Sequence, residues 1–326
     1  MKVIIADANL RPHRDLMEAH LPPGVGALWF DGVTDPEIAR EITDAEVFVG
    51  SVLPRALADG ATALRLVHAA GAGTDGIDRT GLRAGVRCAN TYHHEASIAE
   101  YVAASLVVLR RRTLLQDAAL RAGVWSSPVY DRRLSQPATL RGAVATFLGF
   151  GHIGQHAWNL LRCFGVEGIA ITASGSADPA EHGLRWVGTN TRLHDALAES
   201  EVLVISIPLV AETEHLVRRQ ELDLLGTGGL LVNVARGRVV HEGDLYEALR
   251  DRRIAGAALD VWYQYPTDGA PTAPSTLPFS SLENVVMTPH SSGITTDTFR
   301  GRVLDIADNI TRLHDDRPLQ NEVRPR

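Results

Sequence analysis

Short apolar runs alternate with amphipathic stretches along the first ninety residues. Lys2–Ala6, Ala27–Phe30, Val47–Gly50, Leu66–Ala69 and Arg87–Ala89 have strand length and strand composition, and segments such as Pro36–Ile42 between them carry helical spacing. That rhythm predicts β-α units and a parallel sheet. Ser97-Ile-Ala-Glu100 has capping-box spacing and predicts the start of a long apolar helix over Ile98–Leu109. The arginine run Arg110–Arg112 then suits the negative end of the helix dipole. Residues 113–141, polar and irregular with Trp125, Pro128 and Pro137, predict an arm or crossover.

A second alternation begins at Ala143. Strands are predicted at Ala143–Leu148, Gly168–Thr172, Val202–Ile207, Leu230–Val234, Ala255–Leu259 and Val285–Thr288, with helices at Ile153–Phe164, Leu193–Ala198 and Glu242–Leu249. Strands alternating with helices in this way are what a doubly wound dinucleotide fold needs. Pro266–Pro278 predicts a loop, and a final helix over Thr298–Leu313 leads to the tail Asn321-Glu322-Val323.

Composition narrows the classes. A length of 326 residues suits two domains, and 45% hydrophobic with 22% charged residues is an ordinary globular balance. A net charge of −7 disfavours a nucleic-acid partner. No apolar run approaches membrane-spanning length, and the amino-terminal MKVIIADANL reads as a first strand rather than a signal peptide, so a cytoplasmic location without membrane partners is expected. Cys88 and Cys163 both sit among apolar neighbours and are expected to be buried thiols, with no disulfide framework and no metal-ligand spacing.

Gly149-Phe-Gly151-His152-Ile153-Gly154 directly follows a predicted strand and opens a predicted helix. Gly149 permits the tight turn, Gly151 lets the backbone approach a pyrophosphate, and Gly154 lets helix and strand pack closely. The helix start then offers unpaired N–H groups to the phosphates. The ribose position lies roughly twenty residues on, at the end of the next strand. There the chain reads Ile171-Thr172-Ala173-Ser174-Gly175-Ser176, with no acid to hold the ribose hydroxyls. Thr172 and Ser174 leave room for a 2′-phosphate, which leans the expectation from NAD to NADP. Arg185, nearby in sequence, is weighed evenly between a phosphate partner and a plain surface charge.

Four further segments occur in order with the glycine turn: Gly71-Ala-Gly-Thr-Asp-Gly-Ile-Asp78, Asn233-Val-Ala-Arg-Gly-Arg238, Ala258-Leu-Asp-Val-Trp262 and Met287-Thr-Pro-His-Ser-Ser-Gly293. By this set the chain resembles the D-isomer-specific 2-hydroxyacid dehydrogenases, a family that also holds formate and phosphite dehydrogenases. The resemblance implies an α/β protein of two doubly wound parallel-sheet domains. A Rossmann dinucleotide domain, residues 97–291, would be inserted into a flavodoxin-like substrate domain of residues 1–96 plus 292–326. It also implies an active site in the cleft, an NAD(P) cofactor and a homodimer.

Carried over residue by residue, the resemblance makes Arg236 the group that holds the substrate carboxylate and polarises its carbonyl, as a planar guanidinium can. His290 would be the acid/base, protonating the carbonyl oxygen as hydride arrives from the nicotinamide. The departure is Tyr265, where most relatives carry the Glu that pairs with the histidine. A tyrosine has a hydroxyl to offer the imidazole but no charge, so His290 is expected to titrate lower than in Glu-bearing relatives. Asp268, just downstream, reads as a solvated loop charge rather than a slipped carboxylate. Ala72, Gly73 and Thr74 resemble the loop whose N–H groups hold the substrate carboxylate. His94 matches the position of a substrate-contacting Asn in formate dehydrogenases and is weighed evenly against a hinge role. Asp260 would hold the nicotinamide carboxamide, with a structural cap as the competing role. Pro208, Thr213 and Ala235 complete the expected cofactor set. Adjacent His93, His94 and Glu95 are not expected to form a metal site, and Trp125 and Trp262 read as packing residues, Trp125 at a dimer interface.

The leading function is hydride transfer between NAD(P)H and a small 2-oxo or 2-hydroxy acid. Alternatives are oxidation of a formate-type or phosphonate-type substrate, and a non-catalytic dinucleotide-sensing protein like the family's corepressors.

Overall fold

Strands buried on both faces need cover on both sides, and both sheets of this protein are of that kind. The computed structural model describes residues 1–266 and 270–323, so Asp268 lies outside the described residues. The chain divides into two units, Met1–His94 with Ile294–Arg326, and Glu95–Gly293.

The first unit holds β1 (Lys2–Ala6), β2 (Gly26–Phe30), β3 (Val47–Val49), β4 (Leu66–His68) and β5 (Arg87–Ala89), all parallel in the order β2-β1-β3-β4-β5. This is the flavodoxin-like order. Val3, Ile5, Val47 and Leu66 bury one face against Phe299, Val303, Ile306 and Ile310 of the helix Thr296–His314. Ile4, Phe48 and Val67 bury the other against Ile38, Ile42 and Leu53. The end of the chain then closes the open edge of β5: Glu322 bridges antiparallel to Ala89, and Arg87 grips its carboxylate at 3.0 and 2.9 Å.

His68, at the end of β4, is fully buried. Its Nδ1–H donates to the Ala69 carbonyl at 2.9 Å, and its Nε2 accepts from Asn309 Nδ2 at 2.9 Å. Both nitrogens are satisfied only in the neutral ring, and burial pushes its pKa down to about 4.

The second unit holds β6 (Val144–Leu148), β7 (Glu167–Ile171), β8 (Trp186–Gly188), β9 (Val202–Ile205), β10 (Leu230–Asn233), β11 (Gly256–Leu259) and β12 (Val285–Met287). They are parallel in the order β12-β11-β10-β9-β6-β7-β8, the Rossmann order with one strand added at the far edge. Ile98, Val102 and Leu106 of the helix Glu95–Arg111 cover one face with Phe147 and Trp158, while Leu197, Leu222 and Leu245 cover the other.

Four local expectations change. β8 is a three-residue, half-buried edge strand whose Trp-Val-Gly lacks an apolar run. The long helix starts at Glu95, so Ser97 lies inside its first turn rather than capping it, and the acid at Glu95 meets the exposed N–H groups. Residues 113–121 are not irregular: Thr113–Arg121 is a helix, set off from its predecessor by Arg112 at φ +53°. It buries none of its residues, so the apolar periodicity that betrays a packed helix is missing. Cys163 is exposed, its thiol donating to the Asn159 carbonyl, because it lies in the short turn Arg162–Phe164 after the helix, which buries none of its residues.

Candidate active site

In an all-parallel sheet every strand ends on the same edge. Gly149 follows β6, Ser206 follows β9, and Arg236, Asp260 and His290 follow β10, β11 and β12, so the topology alone collects them on one rim of the second unit.

The glycine turn is built in two parts. Gly149 adopts φ +96°, and a Cβ there would lie 3.0 Å from the Ser206 carbonyl oxygen. At Gly154 a Cβ would come within 2.4 Å of the Gly149 oxygen. The protein's own packing therefore demands both. At Gly151 a Cβ would meet nothing within 4 Å, so nothing in this chain requires glycine there. The ten-residue helix His152–Leu161 starts at once and aims its first N–H groups at the same spot. Ile153 packs against the core, and His152 keeps Nδ1 3.5 Å from the Glu95 carboxylate.

The turn after β7 is lined by hydroxyls. Thr172 Oγ1 accepts the Gly175 N–H at 2.8 Å, and the Ser174 and Ser176 hydroxyls lie 2.6 Å apart. Arg185 does not serve this turn. Its backbone bonds Gly168 near the start of β7, the opposite end, and its guanidinium pairs with Glu199 at 3.0 Å and Glu167 at 3.6 Å. The loop after β9 is folded on itself: the Thr213 hydroxyl donates to the Pro208 carbonyl at 2.7 Å and accepts the Val210 N–H at 2.8 Å.

Arg236 is set by a side chain to which sequence reasoning gave no role. Asn233, 1% exposed, donates to the Arg236 carbonyl and accepts the Ala235 N–H, both at 3.0 Å. Gly237 must lack a side chain, since a Cβ would sit 2.3 Å from the Trp262 oxygen. The arginine leaves this clasp with Nη1 2.8 Å from the buried Ala235's carbonyl.

His290 takes φ +57°, in the left-handed region that few residues other than glycine adopt. The support is Asp260, fully buried. Its carboxylate accepts the Thr288 hydroxyl at 2.6 Å, the Ser291 N–H at 2.9 Å, and the Ser292 N–H at 3.0 Å together with the Ser292 hydroxyl. Tyr101 adds its hydroxyl to Thr288 at 2.9 Å, and Trp262 Nε1 bonds the Thr288 carbonyl at 2.8 Å. Asp260 thus caps the histidine turn with both oxygens. Tyr265 meets His290 ring to ring, centroids 5.8 Å apart and tilted 54°, while its hydroxyl accepts the Trp262 N–H at 3.1 Å rather than bonding the imidazole. The imidazole's pKa lies below the ordinary value, chiefly because surrounding protein disfavours the cation; the Asp260 carboxylate opposes this and the Arg236 guanidinium adds to it. Arg236, Asp260 and His290 therefore share one electrostatic neighbourhood.

In the first unit, the Thr91 N–H bonds the Gly71 carbonyl at 3.3 Å and Asn90 Nδ2 bonds the Ala72 carbonyl at 2.9 Å. With both of these peptides trans, the N–H groups of Ala72 and Gly73 point the other way. Thr74 Oγ1 accepts from Arg79 at 2.9 Å. His94 is 9% exposed, with Nδ1 3.3 Å from Arg302 Nη2. His93, at φ +68°, turns aside to Asp305 at 2.8 Å, a carboxylate that Thr91 also bonds. Among the described residues no group of His, Cys, Asp or Glu is placed to hold a metal, and no helix is long and apolar enough to cross a membrane.

Asn233, Asn90, Ser206, Ser292 and Tyr101 were the residues missed. Asn233 stands at the head of the Asn233–Arg238 motif and was readable as a loop clasp, and Ser292 lies within the Met287–Gly293 motif; Asn90, Ser206 and Tyr101 act through contacts with distant segments.

Residues 103–292 match the model of the NAD-binding domain of D-isomer specific 2-hydroxyacid dehydrogenases. The chain is 27% identical over 288 residues to a D-3-phosphoglycerate dehydrogenase of Methanocaldococcus jannaschii, covering 86% of this chain and 52% of that one. It is 33% identical over 253 residues to a glyoxylate reductase of Aeropyrum pernix, covering 76% and 72%. The chain thus spans about half the length of the first of these relatives. A crystal structure of a D-isomer specific 2-hydroxyacid dehydrogenase family protein from Aeromonas salmonicida superposes with TM-score 0.83 at 24% identity, covering 99% of this chain and 98% of that one.

Proposed function

The chain belongs to the D-isomer-specific 2-hydroxyacid dehydrogenases, and from that membership we propose that it is an NAD(P)-dependent reductase of a 2-oxo acid. The observation that carries this reading is the convergence of Arg236 and Asp260 on His290, at the strand ends shared with Gly151. The cofactor fits: Gly151 is a glycine that packing does not explain, placed at a helix start. Gly149–Gly154 would hold the pyrophosphate and Thr172 and Ser174 the ribose, with Pro208, Thr213 and Ala235 along the remaining edge. When bound, the nicotinamide supplies or receives the hydride.

This chain's own residues do the rest. Arg236 holds the carboxylate and draws density from the adjacent carbonyl. His290 donates a proton to the carbonyl oxygen in reduction and takes it back in oxidation. Asp260 keeps the His290 turn in its left-handed form and counters part of the desolvation of its cation. In the first unit, Ala72 and Gly73 turn outward N–H groups suited to a carboxylate. The proton must be on His290 for reduction, and its pKa lies below the usual value, so reductive activity falls on the acid side of neutrality as pH rises through that pKa.

The turn after β7 holds no carboxylate to repel a 2′-phosphate, which favours NADPH. The exposed apolar arm, with Leu120, Val124, Trp125, Val129 and Tyr130 all more than half exposed, favours a homodimer built on that arm. Stopped-flow loss of NAD(P)H absorbance with glyoxylate, pyruvate, hydroxypyruvate and phenylpyruvate tests the activity, run with each cofactor. Tight cofactor binding without turnover of any acid would replace this reading with a dinucleotide sensor.

A further inference from the structure

The edge of the Rossmann sheet opposite the catalytic rim, where strands begin rather than end, carries a pocket of its own. Its volume is about 380 Å³, at the lower end of what small-molecule sites occupy. Val107, Arg110 and Arg111, in the last turns of the helix Glu95–Arg111, form one wall. Thr139, Leu140 and Arg141, shortly before β6, form a second, and Phe164, shortly before β7, lines the third side. The walls are tied to one another. The Gly142 N–H donates to the Gly165 carbonyl at 2.8 Å, and Arg110 Nε–H donates to the Thr139 carbonyl at 3.1 Å. The pocket therefore exists before any ligand arrives.

Its chemistry is mixed. Val107 and Leu140 belong to the core of this unit, whereas Phe164 leaves 46% of its surface uncovered. Of the three guanidinium groups, Arg110 is spent, with Nη2 donating to Glu201 at 2.7 Å. Arg111 and Arg141 make no side-chain hydrogen bond or ion pair among the described residues. Elsewhere this chain of net charge −7 matches exposed arginines with carboxylates, as at Arg121–Asp117, Arg133–Asp131 and Arg250–Asp251. Carbonyls at the helix end that would repel an anion are already in use. That of Leu109 accepts the Arg112 N–H at 3.1 Å, and that of Arg111 accepts Gln116 Nε2 at 2.7 Å. Two unmatched cations and an uncovered ring in one pocket suit a ligand with a carboxylate for the first and an aromatic body for the second. We propose that this pocket is a second ligand site, for a small aromatic carboxylate. The site shares no residue with the catalytic rim and does not depend on the reductase reading.

Calorimetric titration of the full chain with phenylacetate reads the site. Saturable binding with a Kd below about 1 mM is expected, an ordinary efficiency for about ten non-hydrogen atoms. Acetate keeps the charge and benzyl alcohol keeps the ring, and each is expected to bind at least about tenfold more weakly. Arg111→Gln and Arg141→Gln are each expected to weaken phenylacetate by about 10- to 100-fold, the scale of one charge-assisted hydrogen bond. Phe164→Ala is expected to weaken it by about 3- to 10-fold, and Arg141→Lys to recover part of what Arg141→Gln loses. Neither arginine has a partner to lose, so both variants should keep the wild-type unfolding midpoint. Phenylacetate is also a carboxylate that Arg236 could hold, so Arg236→Gln is titrated beside them. A binding component that survives Arg236→Gln and is lost in Arg141→Gln is the proposed site. Binding lost in Arg236→Gln yet intact in Arg111→Gln and Arg141→Gln belongs to the substrate site and overturns the proposal. So does the absence of saturable binding, or acetate or benzyl alcohol binding as tightly as phenylacetate.

Discussion

His68 and His290 both close off a parallel strand, and both have their charged form disfavoured, yet the surroundings differ in kind. In the first unit His68 has both ring nitrogens spent inside the core, on Ala69 and Asn309, and the ring has no route to a proton without breaking a bond. In the second unit His290 reaches the surface on a left-handed turn that Asp260 pins from below, and its ring is left to face outward beside Arg236. Burial with every polar atom satisfied makes a histidine structural. A pinned backbone with a ring kept accessible makes one available for proton transfer.

The sharpest way to break this contrast is to remove each ring. His290→Asn is expected to cut kcat by about 10²- to 10⁴-fold, the usual worth of a general acid, without lowering the unfolding midpoint. A variant retaining more than a tenth of wild-type turnover would end the catalytic assignment. His68→Gln is expected to do the reverse, leaving turnover near wild type per folded molecule while changing stability. The unfolded ring binds a proton near pH 6.5, but the folded one only near pH 4, so the wild type loses stability as pH falls between these values, by roughly 3 kcal/mol in all. Urea unfolding at pH 7 and pH 4.5 should show that slope flattened in His68→Gln; an unchanged slope assigns the acid sensitivity elsewhere.

A finer test is Tyr265→Glu. A carboxylate opposite the imidazole favours its cation, so the basic limb of the reductive profile should move to higher pH, about tenfold more activity at a fixed pH on that limb. A limb that stays put would mean that position 265 does not reach His290 electrostatically. The smallest expected effect is that of Arg185→Ala, which should leave the NADPH-to-NADH preference unchanged because the guanidinium is committed to Glu167 and Glu199 at the other end of its strand. A loss of NADPH preference would place Arg185 at the cofactor after all.

Much of the fold was legible because parallel strands announce themselves. Val202–Ile205 and Leu230–Asn233 are unbroken apolar runs, and the helix Leu193–Ala198 was readable to the residue. What stayed hidden lacked that signal. Trp186–Gly188 is an edge strand, and Thr113–Arg121 is a helix with no buried face. At the site, residue types and spacing pointed to Gly149–Gly154, Arg236 and His290, but not to what holds them. Asn233 clasps a loop within three residues of itself and so was within reach of sequence reasoning. Tyr101 reaches Thr288 across 187 positions, and Arg302 reaches Tyr92 across 210. Nothing local in the sequence marks such partners. Arg185, weighed evenly between a phosphate partner and a surface charge, pairs with Glu167 and Glu199, so nearness along the chain was no guide to nearness in space.

The route of the backbone also sets an order of events at the ribosome. The sheet of β1–β5 buries one face against Phe299, Val303, Ile306 and Ile310, residues made only after the entire intervening Rossmann unit. That unit is continuous and has all its own strands in hand by residue 293. During synthesis the earliest segment must therefore wait, with half its apolar covering still unmade, while a later one is free to fold. Nascent chains stalled before the last helix are the ones in which exposed strands would call for a chaperone.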